Sequence, residues 1–298
     1  MRKIIKPIVF QPQINWILSR FLKPFSKVLP SKVKIPVHGF HQIKVNKNTR
    51  FSMEAHYTSH LSRLLFWDGI RGFEYGSVRV FTELIKSSNV FLDIGANVGY
   101  YSLLASKINK DISVYAFEPF PDSVKAMQRN VTKNGAGNIS IISLALSDEE
   151  GDTEFFYKIH PGFPGQELQL SGDNSLVNFK MDDRKTIKVK QTTLDRYLSE
   201  NIIRHVDLMK IDTETTEHRV LRGAEHTVKK FRPIILCEVI KNFNEKLIEQ
   251  FFGDMDYRFY KIEPNQLMEC TSICDLQEEK NDFFFVPPEK HTRVQAFL

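Results

Sequence analysis

From about residue 88 onward, short apolar runs alternate with stretches of helical periodicity, and that rhythm constrains the fold more than any other feature of the chain. The runs read as strands at 90–94 (VFLDI), 113–118 (SVYAFE), 139–146 (ISIISLAL), 206–211 (VDLMKI) and 234–240 (IILCEVI). Helical patterns lie between them. Tyr101, Leu104, Ala105 and Ile108 share one face, as do Val124, Met127 and Val131 in a segment that stops at Gly135. A third helix carries Val220, Leu221, Ala224 and Val228, with Glu217 early and Lys229 and Lys230 late, as the helix dipole prefers. Apolar strands joined by helices require a parallel sheet with crossover connections, an α/β fold. Two later runs, 257–262 (YRFYKI) and 282–286 (DFFFV), read as a closing antiparallel pair. Residues 155–190 break the rhythm. They hold Gly162, Pro164, Gly165 and Gly172, and an insertion of that length without clear periodicity reads as a lid or substrate loop.

The first strand runs straight into Asp93-Ile94-Gly95-Ala96-Asn97-Val98-Gly99. In an open parallel sheet, ligands sit beyond the carboxyl ends of the strands, and glycines in the first strand-to-helix turn let the backbone approach them. The spacing here is G-x-x-x-G, not the G-x-G-x-x-G that cradles a dinucleotide pyrophosphate, which argues against NAD. Asp93 at the strand end suits a ligand bearing an ammonium group. The second strand ends in Phe117-Glu118-Pro119, where a carboxylate can accept hydrogen bonds from both ribose hydroxyls.

The segments DIGANVGYYS, AFEPFP, RNVTKN, ALSDEEG, TTLDRYL, MKIDTETTEHRVLRGA and PIILCEV follow one another between about residues 70 and 240, with a weaker likeness at Gly72-Phe73-Glu74. This ordered set resembles the FkbM family of S-adenosylmethionine-dependent methyltransferases. The resemblance implies a class I, Rossmann-like sheet, mostly parallel, of seven strands with the last antiparallel. It implies S-adenosylmethionine as cofactor: Asp93 and the turn Gly95 to Gly99 would hold its methionine part, with Asn97 lining that turn, Glu118 its ribose, and Ser147 with Asp148 its adenine. It also implies methylation of a hydroxyl on a saccharide, glycolipid or secondary metabolite.

Transfer of a methyl group to oxygen needs aligned reactants and removal of a proton. Asp212 with Glu214, and Glu238, end the fourth and fifth strands on the same crevice, and any of them can serve as general base. Alternatively Asp212 and Glu238 bind Mg²⁺, which would lower the pKa of the hydroxyl. His218 follows Glu214 by one helical turn, placed to orient it or to act as base. Enzymes that methylate base amino groups usually carry an Asn/Asp-Pro-Pro-aromatic turn after the fourth strand; Asp212-Thr213-Glu214 stands there instead, which makes nucleic acid an unlikely substrate. One departure stands out. The family usually reads D-V-E-G-A-E where this chain has Asp212-Thr213-Glu214-Thr215-Thr216-Glu217, so a β-branched residue occupies a glycine position and disfavours positive φ.

Charge is unevenly spread. Residues 1–50 contain eleven Lys and Arg and no Asp or Glu, whereas the rest of the chain has an excess of acids. Ile14, Ile17, Leu18, Phe21, Leu22, Phe25, Val28 and Leu29 form one stripe of a basic amphipathic helix over 14–29, kinked at Pro24; it reads either as packed on the body or as lying on an anionic membrane. Residues 40–55 read as a small hairpin. The expected organisation is thus a basic extension over 1–70 and a methyltransferase domain over 71–298. No run approaches the ~20 apolar residues of a membrane span. Three cysteines, Cys237, Cys270 and Cys274, fit a reducing compartment rather than a disulfide scaffold or a zinc site. The expected location is cytoplasmic, with peripheral contact on the inner membrane face through residues 1–35. Thr215 and the arm together leave a competing reading, a catalytically silent, membrane-docked binding module.

Overall fold

The computed structural model describes residues 9–30, 33–163, 165–170, 172, 174–177, 184–274 and 278–298. The amino-terminal part comprises helix α1 (Pro12–Leu22), a hairpin of β1 (Gly39–Lys44) and β2 (Arg50–Ala55), and helices α2 (His60–Asp68) and α3 (Tyr75–Ile85). The alternating part follows: β3 (Val90–Ile94), α4 (Tyr100–Ile108), β4 (Ser113–Phe117), α5 (Pro121–Asn134) and β5 (Ile139–Ile142). Next come β6 (Ala145–Leu146), β7 (Gly151–Tyr157), β8 (Lys185–Thr192) and α6 (Leu194–Glu200). The chain continues through β9 (Leu208–Ile211), α7 (Glu217–Arg222), α8 (Glu225–Phe231), β10 (Ile234–Ile240) and α9 (Glu245–Phe252). It closes with β11 (Arg258–Ile262), β12 (Leu267–Cys270) and β13 (Lys280–Val286).

The main sheet has the order β12-β11-β13-β10-β9-β3-β4-β5. The five strands from β10 to β5 are parallel, and β13 is inserted antiparallel between β10 and β11. The expected Rossmann-like α/β sheet is therefore present, extended by one short edge strand, β12. Register decides where the site lies. Ile94 pairs with both Phe117 and Ile211, and Ile211 with Cys237, so β3, β4 and β9 end level with one another, and β10 crosses that line at Cys237 before running on to Ile240. Gly95, Glu118, Asp212 and Glu238 consequently emerge at one rim of the sheet.

Side chains alternate between two cores. On β13, Phe284 and Val286 face the layer of α3, α4 and α5, while Phe283 and Phe285 face that of α6 to α9. Helix α5 shows why these segments fold as they do: Pro121 opens it, Asp122 lies in its first turn, and Gly135, at φ 57°, closes it in the left-handed conformation. Its Asn130 and Asn134 imitate a strand edge. The Asn134 side chain accepts from Ser52 N–H and donates to Ser52 C=O, and Asn130 accepts from Glu54 N–H, fastening the hairpin to the sheet layer.

Three segments differ from the sequence reading. The third strand breaks at Ser143 and Leu144, where the chain leaves the main sheet and pairs with β8 in a second sheet of order β6-β8-β7. The 220–228 helix is two helices, interrupted at Gly223, because the backbone there passes so close to Ser147 that a Cβ would stand 2.0 Å from its carbonyl oxygen. The ends of the 155–190 insertion are ordinary antiparallel strands, β7 and β8; residues 164, 171, 173 and 178–183 of it lie outside the described residues. Of the basic arm, residues 1–8 and 31–32 lie outside them too. The remainder is fastened to the body: Asn15 donates to Pro36 C=O (3.0 Å), Arg20 to Phe40 C=O (2.6 Å) and Lys23 to Trp67 C=O (2.8 Å), while Leu22, Leu29 and Ile35 pack on Phe66 and Trp67.

Candidate active site

A cavity of about 650 Å³, within the range of small-molecule sites, opens at the carboxyl ends of β3, β4, β9 and β10. Its floor is the turn after β3. Gly95 has φ 79°, and a Cβ on it would lie 1.8 Å from the carbonyl oxygen of Asp212, so glycine is required here for the crossing of two strand ends. The N–H groups of Gly95 and Ala96 both donate to Phe117 C=O (3.0 Å), leaving the turn closed against β4. Asn97, also left-handed at φ 50°, donates its N–H to Glu118 Oε2 (2.8 Å), and Phe120 N–H donates to Glu118 Oε1 (2.9 Å). These two bonds fix the carboxylate at the cavity wall. Burial nevertheless pushes the Glu118 carboxyl up to about 7, against the lowering effect of the two N–H groups.

The opposite wall holds a charged cluster. Asp212, Glu214 and Glu238 present carboxylate oxygens within 4.8 Å of one another. Lys280, from β13, reaches into them: its ammonium donates to both oxygens of Glu214 (2.8 and 2.7 Å) and lies 3.2 Å from Glu238. Burial would lower the Lys280 pKa, but Glu238 and Glu214 hold it above the usual lysine range. Burial likewise acts to raise Asp212, yet the Lys210 ammonium, 2.6 Å away, and Lys280 hold it below the ordinary carboxylate range. Glu238 goes the other way; burial, then Asp212 and Glu214, push it well up. Hard oxygen donors suit Mg²⁺, but an ammonium already bridges two of the three carboxylates. The cluster therefore does not fit a magnesium ion unless Lys280 leaves it, which counts against the metal expectation.

The loop that supplies Glu214 is held from several sides. Glu217, fully buried, accepts from Thr213 N–H (2.8 Å) and Thr213 Oγ1 (3.0 Å) and is also hydrogen-bonded to Asn244. Ser175 from the insertion donates to Glu214 C=O (2.6 Å). Thr215 has φ 92°: the backbone keeps a glycine conformation with a β-branched residue in it, and its buried Oγ1 has no hydrogen-bond partner among the described residues.

Asn97, Gly95, Glu118, Asp212, Glu214 and Glu238 meet at the cavity. Asp93 lies beneath it, buried between Ala116 and Lys210, and accepts from Ser102 of α4 (2.5 Å), which anchors that helix. Gly99 serves as the left-handed N-cap of α4, its missing Cβ admitting Met127. Ser147 and Asp148 are not in the wall. The break after β5 advances the chain, so Leu144, Ala145 and Leu146 line the cavity instead, and Asp148 pairs with Arg219 (2.7 Å) and Arg222 of α7. His218 is also outside the wall, half-buried, its pKa lowered by burial and by Arg222 and Arg219. Sequence reasoning missed Lys280, Lys210 and Glu74. Glu74, at φ 43°, lines the cavity and accepts from Tyr101 Oη (2.7 Å); burial and Asp282 push its carboxyl up to about 8. A lysine and an aspartate in the otherwise Phe-rich run 280–286 were the available signal. The insertion contributes His160, Leu170 and Leu176, and Thr58 clamps it by donating to Leu168 C=O (2.9 Å) and accepting from Leu170 N–H (3.1 Å).

The donor set suits one chemical class. A carboxylate for hydroxyls, an apolar wall of Phe117, Leu144 and Leu146, and acids facing the centre fit a nucleoside ligand that carries positive charge.

Comparison with known proteins points the same way. Over 161 residues the chain is 29% identical to 31-O-demethyl-FK506 methyltransferase FkbM of Streptomyces tacrolimicus, covering 47% of this chain and 61% of that one. It is 26% identical over 177 residues to the 2-O-methyltransferase NoeI of Sinorhizobium fredii, covering 56% and 71%. With the hexuronic acid methyltransferase AglP of Haloferax volcanii it shares 22% over 167 residues, covering 56% and 62%. The chain thus spans less than two thirds of the first of these relatives. Residues 93–259, more than half of the chain and every strand end of the cavity except that of β13, match the family described as the methyltransferase FkbM domain, and the chain belongs to that family.

Proposed function

We propose that this protein is an S-adenosylmethionine-dependent O-methyltransferase acting on a hydroxyl of a saccharide, glycolipid or secondary metabolite. One observation carries the reading: a single cavity sets Glu118 and the Gly95–Asn97 turn on one side and the Asp212, Glu214, Glu238 and Lys280 cluster on the other. The turn would hold the methionine part, Glu118 the ribose, and Leu144 to Leu146 the adenine. Asp212, ionised and at the wall, favours the cationic end of the cofactor. When bound, S-adenosylmethionine supplies a methyl group activated by its sulfonium for in-line displacement.

Among the carboxylates, Glu238 is the proposed base. A raised pKa makes its carboxylate, once ionised, the stronger base, and Lys280 holds Glu214 through both oxygens at shorter distances than it holds Glu238. The acceptor hydroxyl gives its proton to Glu238, while Lys280 limits the negative charge of the cluster. Supporting names among the relatives include a 2-O-methyltransferase and a hexuronic acid methyltransferase. The intact acid set favours this reading over a silent binding module. The test is incubation with isotopically labelled methyl donor and a glycan or lipid extract, followed by mass spectrometry. Label should appear on a hydroxyl, with S-adenosylhomocysteine released, and the Glu238→Gln protein should lose about 10²-fold or more in turnover. A Glu118→Ala protein that binds the cofactor as tightly as the parent would overturn the site assignment.

A further inference from the structure

The first helix is turned inside out. On α1 and the short turn that follows it, Asn15 and Ser19 are wholly buried against the body, while Ile17, Phe21, Phe25 and Val28 are 63%, 71%, 53% and 79% exposed. Those four recur every three or four residues, so they form one stripe. The inward face is held by hydrogen bonds: Asn15 to Pro36 C=O, Arg20 to Phe40 C=O, and Lys23 to Trp67 C=O. Polar groups thus share the intramolecular contacts with Leu22 and Leu29, while four large apolar groups face outward, the reverse of what water alone as the outer medium would favour.

We propose that this stripe docks the protein on an anionic lipid bilayer, with α1 lying in the interfacial plane. The charge of the arm selects this occupant. Residues 1–50 carry eleven basic and no acidic side chains, and Lys27, Lys44, Lys47 and Arg50 are exposed. A second copy of the chain on the same stripe would bring two arms of like sign together, whereas anionic headgroups neutralise them. Contact is peripheral, since among the described residues no helix is long and apolar enough to cross a membrane. The docked helix also adjoins the cavity rim. Phe10, just before α1, packs edge-on against Tyr57 (5.5 Å between ring centroids) and Phe163 (4.9 Å), and Tyr57 lines the cavity. The inference stands on the arm alone and does not depend on the methyl-transfer reading.

Vesicle co-sedimentation of the full chain tests it, with phosphatidylcholine alone and phosphatidylcholine mixed with phosphatidylglycerol, at low and high salt. The protein should sediment with the mixed vesicles and be released by salt. Ile17→Asp combined with Phe21→Asp should weaken binding about tenfold or more without changing the melting temperature, because both side chains project into solvent. Failure of the parent to bind mixed vesicles, or unchanged binding by the double variant, would overturn the proposal. So would a parent that is dimeric in solution and a double variant that is monomeric, which would assign the stripe to a second copy.

Discussion

Thr215→Gly should make this protein more stable, against the usual direction for a glycine substitution. Thr215 sits at φ 92° with a β-branched side chain, a conformation that costs about 1–3 kcal/mol in a non-glycine residue. Its buried hydroxyl has no partner among the described residues, which adds about 1–3 kcal/mol of uncompensated desolvation. Against these gains stand the greater backbone freedom of glycine in the unfolded chain, about 0.5–1 kcal/mol, and the loss of one buried methyl group, about 1 kcal/mol. The ranges combine to a net stabilisation of about 0–4 kcal/mol, about 2 kcal/mol at their midpoints, the latter a rise in melting temperature of about 4–8 °C, measurable by calorimetry or denaturant titration. Thr215→Ala serves as the control, since it removes the hydroxyl and the branch while remaining a poor residue at this φ, and should recover less than Thr215→Gly. A melting temperature lowered by Thr215→Gly would refute the strain argument, and equal gains from alanine and glycine would leave only the hydroxyl to account for the effect.

Gly95→Ala should act in the opposite sense, costing about 3 kcal/mol or more, because the added Cβ would lie 1.8 Å from Asp212 C=O at φ 79°; an equilibrium unfolding curve unchanged from the parent would contradict the crossing described. Stability should also fall as pH rises. Burial pushes Glu74, Glu118 and Glu217 up to about 8, about 7 and about 7, so each binds its proton more tightly folded than unfolded. Their contribution is full below the unfolded carboxyl value of 4.5 and is lost as pH rises through about 7–8. Melting temperatures across that window should decline, and Glu74→Gln should flatten the decline; equal slopes for both proteins would dismiss Glu74 as a contributor. His218→Asn should leave turnover within about twofold of the parent, since the imidazole is outside the cavity wall. A loss of about tenfold or more would restore it to the catalytic set.

The strand ends were legible in the sequence because each is marked by a local signal: an apolar run followed at once by a glycine or an acid. Glu118, Asp212 and Glu238 needed nothing more, since the register of four paired strands sets the residues after Phe117, Ile211 and Cys237 side by side. Ser147 and Asp148 misled because the third run looks continuous, while the chain changes sheets at Ser143, a step set by the pairing of Ala145 and Leu146 with Gln191 and Thr192 of β8. The alternation in Lys185–Thr192, with Ile187 and Val189 on one face, was readable but followed the aperiodic, glycine-containing part of the insertion. Lys280 was not readable as a site residue, for it meets Glu214 only through the placement of β13, sixty-six residues away in sequence. Thr215 was the informative exception, a residue type at odds with the backbone that the surrounding hydrogen bonds impose.

The position of β13 has a consequence for how the molecule comes into being. The last strand of the sheet to be synthesised is not an edge strand, for it is threaded between β10 and β11. Until residues 280–286 leave the ribosome, β10 presents an open, apolar edge, and the carboxylates of Glu214 and Glu238 face each other without the lysine that neutralises them. Ser77 waits for Asp282 across more than two hundred residues before its hydroxyl finds a partner at 2.6 Å. Cavity and sheet therefore both need residues 280–286, so that a nascent chain long enough to display every family motif still lacks Lys280 and the strand that carries it.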